Sequence, residues 1–182
     1  WKSVTREAKE LDDHFREELV LTAEGCSPLP IYRLGPRNLS KPRPGILALH
    51  GHGAHGHHPV AGRDDLAGVA AAIREANYDY GRELARRGYV VVVPCLTPFG
   101  ERLGKLDIYK GEDPCAVSFV RLQILGKVLI GENLRDSLWA LEALARDPRV
   151  DSTRLACVGL SYGGRMTMLA AALEPRIRAS VI

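Results

Sequence analysis

The sequence predicts an α/β protein built on a mostly parallel sheet with helices on both faces. Short, unbroken apolar runs, GILALH (45–50), YVVVVP (89–94) and RLACVGL (154–160), suit strands buried on both sides. Helical patterns alternate with these runs, and Gly or Pro punctuates the junctions. With 182 residues, 46% hydrophobic and 26% charged, the chain has the length and composition of a single domain, 1–182, with its own core.

Taken in order, residues 1–17 place Trp1, Val4, Ala8, Leu11 and Phe15 at steps of three and four, which predicts a leading helix. LVLTA (19–23) and LPIYRL (29–34), separated by a Gly-Pro-containing turn, read as paired strands. The stiff KPRP approaches the first buried run. A loop rich in Gly and His leads from it to a helix ending in YGRELARRG, where Gly88 takes the position past the C-terminus that favours a left-handed backbone. After YVVVVP and the loop CLTPFGERLG, one long helix is expected over about 118–146, closed by Asp147-Pro148. Its first half, FVRLQILGKVLI, is apolar on nearly every side and is expected to pack in the core, ahead of a role as a subunit contact. RLACVGL, a helix over 161–173 and a strand over 176–182 complete the order. A final strand with no helix to cover it leads to the expectation that the fold is truncated after Ile182.

The charge balance of 25 Lys plus Arg against 22 Asp plus Glu is nearly neutral, and the basic residues are dispersed, so no nucleic-acid partner is expected. No apolar stretch reaches the roughly 18–20 residues that span a bilayer, so no membrane partner is expected either. The four cysteines form no C-x-x-C pair, which favours unpaired thiols and a cytoplasmic setting. Cys95 and Cys115 are the pair able to bridge a loop in an oxidising compartment. Because the chain opens on Trp1, secretion after loss of an upstream leader is kept as the alternative location.

Two motifs carry chemistry. Gly159-Leu160-Ser161-Tyr162-Gly163 lies between a buried strand and a helix, the G-x-S-x-G pattern of a nucleophile elbow. A serine on so tight a turn sits in a strained conformation, and glycines two before and two after it avoid collision. The helix that follows directs unpaired N–H groups at the reacting centre, so the Tyr162 N–H can stabilise an oxyanion. The competing reading of Ser161 is a plain helix N-cap. The second motif, His50-Gly51-His52-Gly53-Ala54-His55-Gly56-His57-His58, follows a buried strand, and ligands in open α/β sheets bind at those ends. Its backbone offers a second oxyanion donor, the N–H of His52, with Gly53 as the neighbouring candidate. Five of the six histidines fall here, but no Cys pair and no H-E-x-x-H helix accompanies them, so neither a metal nor a cofactor is expected. His50, at the strand end, is expected to be a hydrogen-bonded structural residue.

On these motifs the chain resembles the α/β-hydrolase superfamily, and within it the dienelactone-hydrolase and acetyl-xylan-esterase-like group. The resemblance implies a serine carboxylesterase acting on a small-molecule ester, with Ser161 as nucleophile and the N–H groups of Tyr162 and His52 as oxyanion hole. Dienelactone hydrolases carry Cys in the elbow, so the serine here favours ester hydrolysis. The superfamily order is Ser, then Asp or Glu, then His, yet only Glu174 and no histidine follow the elbow. The acid and the histidine are therefore expected beyond Ile182 or on a complementing polypeptide, and the 182 residues alone are expected to be inactive. A weaker alternative takes the base from His50, His52, His55 or His57, oriented by Asp64 or Asp65. Other functions compatible with the elbow are a thioesterase, an acyl transferase or a peptidase. From another class comes a non-catalytic module that binds metal through the His-rich loop. A homo-oligomer is also allowed.

Overall fold

The computed structural model describes residues 1–104 and 112–182. Strands β1 (Lys2–Glu10), β2 (Phe15–Thr22), β3 (Leu29–Gly35), β4 (Arg43–Leu49), β5 (Val90–Pro94), β6 (Val150–Gly159) and β7 (Ile177–Val181) form one sheet in the order β1-β2-β3-β5-β4-β6-β7. The stretch β5-β4-β6-β7 is parallel, and β3, β2 and β1 extend it in antiparallel fashion.

The helices are α1 (Val69–Ala76), α2 (Tyr80–Arg86), α3 (Pro114–Ile124), α4 (Leu129–Ala145) and α5 (Tyr162–Leu173). Alternation along the central strands explains the unbroken apolar runs. Ile46, Ala48, Val91 and Val93 face the core that contains Ala85 of α2, whereas Leu47, Leu49, Val90 and Val92 face Leu141 and Leu144 of α4 and Met166 of α5. Both faces of β4 and β5 are thus covered, as the sequence predicts.

Two expectations are corrected. Residues 1–17 form no helix: β1 pairs with β2 from Lys2↔Thr22 to Glu10↔Phe15, and Leu11 and His14 close the turn. The apolar steps of three and four were sparse. Phe15 belongs to the core through β2, while Val4 is 59% exposed, so no apolar helical stripe existed to bury. The expected long helix is two, α3 and α4, bent by 96°. Gly126 breaks it with a left-handed backbone (φ +67), and the Lys127 N–H closes the end of α3 on the Leu122 carbonyl at 2.8 Å. Of the apolar first half only Leu129, at the start of α4, is buried: α3 has no buried residue, and Phe119, Val120 and Ile124 are exposed. All four cysteines are free. No single helix among the described residues is long and apolar enough to cross a membrane.

Candidate active site

Adjacent parallel strands β4 and β6 run in register to Leu49↔Gly159. After β4 the chain turns to α2 on one face, and after β6 it turns to α5 on the other. The crevice between their carboxyl ends is thus the topological switch point of the sheet, where open α/β proteins bind ligands. The His-rich loop leaves one side of it and the G-x-S-x-G elbow the other.

Ser161 is exposed and holds φ +56, ψ −114, a conformation L-residues rarely adopt. The flanking glycines are required by contact. A Cβ on Gly159 would stand 2.3 Å from the Gly163 backbone, and one on Gly163 would stand 1.9 Å from the Leu49 carbonyl oxygen. The elbow is thereby pressed onto the end of β4, and the Gly163 N–H closes the turn on the Leu160 carbonyl at 2.9 Å.

Ser161, Leu160, Gly51, His52, His55 and Tyr78 line one cleft of about 330 Å³. Among the described residues, neither the Tyr162 N–H nor the His52 N–H has a hydrogen-bond acceptor within the chain, so both are free for an incoming oxygen. The loop is fixed by contacts that sequence reasoning missed. The Gly51 N–H donates to the Tyr78 hydroxyl at 2.6 Å, and Tyr80 donates to the Leu49 carbonyl at 2.6 Å. Burial raises the pKa of Tyr78, which keeps its phenol protonated beside the cleft. Behind the elbow, fully buried Asn133 accepts from the Thr97 N–H (2.8 Å) and donates to the Thr97 carbonyl (2.7 Å) and the Tyr162 hydroxyl (2.8 Å). It ties the β5 loop to the first residue of α5. Asn133 shares the buried stripe of α4 with Asp136 and Ser137, and that polar cluster among Leu129, Ala140, Leu141 and Leu144 was the available clue to it; Tyr78 had none, since its partner lies 27 residues away.

The histidines divide sharply. His50 is fully buried, accepts from the Leu96 N–H at Nε2 (2.9 Å) and bonds the Gly51 carbonyl through Nδ1 (2.8 Å). A backbone amide only donates, so Nε2 carries no proton and the ring is a neutral strut. Desolvation pushes its pKa down to about 4. His57 is also fully buried, and its pKa lies well below the ordinary value for the same reason. His52 and His55 share the cleft with Ser161, but no hydrogen bond reaches the Ser161 hydroxyl among the described residues. The expected orienting carboxylates are engaged elsewhere, Asp64 with Arg82 (2.7 Å) and Asp65 with Arg63 (2.8 Å). The dyad of a loop histidine with Asp64 or Asp65 is not formed.

Comparison with known proteins agrees with this architecture. Residues 64–182 match the dienelactone hydrolase family. The chain is 30% identical over 181 residues to a protein of Bacillus subtilis (strain 168) named "Putative hydrolase YtaP", covering 97% of this chain and 55% of that one. In fold it is similar to a protein from Bacteroides fragilis NCTC 9343 described as a "putative acetyl xylan esterase", with a TM-score of 0.81 and 19% identity, covering 98% of this chain and 47% of that one. It is also similar to acetyl xylan esterase 1 from Thermoanaerobacterium sp. JW/SL YS485, with a TM-score of 0.64 and 16% identity, covering 98% and 51%. The chain thus spans about half the length of these proteins.

Proposed function

Since the chain belongs to the dienelactone hydrolase family, we propose that it carries the nucleophile and oxyanion hole of a serine hydrolase that cleaves carboxylic esters. Ser161 Oγ attacks the ester carbonyl carbon, and the N–H groups of Tyr162 and His52 receive the negative charge that develops on its oxygen. Collapse of the tetrahedral intermediate expels the alcohol and leaves an acyl group on Ser161, which water then releases. One observation carries the reading: an exposed serine, held at positive φ, lines the same cleft as His52, and neither the His52 N–H nor that of Tyr162, the residue directly after the serine, has an acceptor of its own among the described residues.

The cleft supports a small ester substrate, because its wall at Ala54, Ala72 and Leu160 is apolar and its volume is modest. The acid and the histidine are assigned to sequence beyond Ile182, because the described histidines are either committed, as His50 is, or unbonded to the serine. The test pairs two measurements. A protein extended past Ile182 is expected to hydrolyse p-nitrophenyl acetate, and Ser161→Ala to abolish the activity, while the 182 residues alone run close to the buffer rate. An extended protein indifferent to Ser161→Ala removes the nucleophile assignment, and brisk turnover by the 182 residues removes the assignment of the base.

A further inference from the structure

The six histidines leave one feature that ester hydrolysis does not use. His57 is fully buried, and neither of its ring nitrogens has a hydrogen-bond partner. Such an orphan forfeits the hydrogen bonds it made in water and gains none in the fold. Its Nε2 points at Glu101, yet stands 3.5 Å from Oε1, outside the 2.7–2.9 Å or so of a charge-assisted hydrogen bond. Ligand-capable atoms of His57, His58 and Glu101 all lie within 4.8 Å of one another.

We infer that His57, His58 and Glu101 form a site for a zinc-class divalent ion that clamps the His-rich loop to the segment after β5. The spacing fits: two ligands each about 2.05 Å from a tetrahedral ion stand about 3.3 Å apart, close to the separation of His57 from Glu101. Surrounding groups hold the ligands in place. His58 Nδ1 bonds the Tyr32 hydroxyl at 3.0 Å, the kind of outer contact that orients a metal-bound imidazole, and its other ring nitrogen stays free. Arg6 occupies Glu101 Oε2 at 2.5 Å, so Oε1 is left for the ion. Glu101 is 28% exposed, which supplies an entry path and room for a water as fourth ligand.

Charge sets the selectivity. Arg6 and Arg63 lie close by and oppose a cation, although Glu18 pairs with both at 3.3 Å. An ion that relies on carboxylates alone, such as Mg²⁺ or Ca²⁺, gains too little from one glutamate, whereas two neutral imidazoles favour Zn²⁺ or its neighbours. The second cluster of this kind, His52, Asp113 and Cys115, has its His and Asp exposed and serves as the control.

The experiment is a calorimetric titration of the chelator-stripped 182-residue protein with ZnCl₂, paired with thermal unfolding. One equivalent is expected to bind and to raise the unfolding temperature. Glu101→Gln and His57→Phe should each weaken binding by about tenfold or more and remove the thermal shift. His52→Ala combined with Cys115→Ser should leave both intact. Glu101→Gln lies at the surface, so its result stands even if His57→Phe folds poorly. Absence of saturable binding, equal binding in Glu101→Gln, or loss of binding in the His52/Cys115 variant overturns the site.

Discussion

Gly163→Ala tests the elbow where the structure is least forgiving. The added Cβ would stand 1.9 Å from the Leu49 carbonyl oxygen, 2.6 Å from its carbon and 2.7 Å from the His50 carbonyl oxygen. All three atoms are backbone at the end of a central strand, so no side chain can swing away. Restoring a tolerable separation of about 3.2 Å requires the start of α5 to move more than an ångström from β4. Overpacking of this kind costs about 1–3 kcal/mol, and the rigid neighbours place this site at the upper end. For a domain of this size that is a fall of roughly 6–12 °C in unfolding temperature. The same shift carries Ser161 away from the His52 amide, and a misplacement of about 1 Å costs on the order of a hundredfold in rate. The assay is differential scanning calorimetry beside Gly53→Ala, a glycine of the facing loop whose added Cβ meets nothing within 4 Å and which is expected to change little. If Gly163→Ala unfolds at the same temperature as Gly53→Ala, the close seating of the elbow on β4 is wrong.

Ser161→Gly should stabilise the fold by about 1 kcal/mol while destroying the nucleophile, because it removes a side chain from φ +56, partly offset by a freer unfolded chain. Calorimetry comparing it with Ser161→Ala checks this, and equal stabilities would mean that the turn stores no strain. Acid stability should report His50. Its pKa falls from 6.5 to about 4 on folding, so between those values the unfolded chain binds more protons. Stability is therefore complete above pH 6.5 and declines by up to about 3 kcal/mol as the pH drops towards 4, with buried His57 acting in the same direction. Denaturant unfolding from pH 7.5 to 4.5 should show a shallower decline for His50→Gln, and an unchanged slope would mean that His50 is not the buried strut described.

Much of the protein was legible in the chain. The central strands announce themselves because burial on both faces demands apolar residues at every position, although the apolar run over 119–128, exposed at Phe119, Val120, Ile124, Leu125 and Val128, shows that such a run is not by itself proof of burial. The elbow is equally local: its strain and the need for its two glycines follow from five consecutive residues, and the backbone holds Ser161 at φ +56 with no room for a Cβ at Gly159 or Gly163. The errors arose where local pattern is ambiguous. Apolar residues spaced by three and four at the N-terminus suggested a helix, but pairing with β2 supplied the backbone partners and won. A single glycine at position 126, easily passed over inside an apolar run, turned one helix into two.

What the sequence by itself determined is the alternation of buried strand and helix and the identity of the one strained serine, since both are consequences of short-range sterics and of which faces must exclude water. Tertiary structure alone decided which histidine does what. His50, His52 and His57 are spaced within eight residues and are chemically identical. One became a neutral strut against Leu96, one lines the cleft beside Ser161, and one is a buried ring with no hydrogen-bond partner. An imidazole's role is set by the donors, acceptors and solvent around each nitrogen. Here the partner of His50 Nε2 comes from Leu96 in the loop after β5, 46 residues away, and the carboxylate nearest His57 from Glu101, brought together only when the sheet closes.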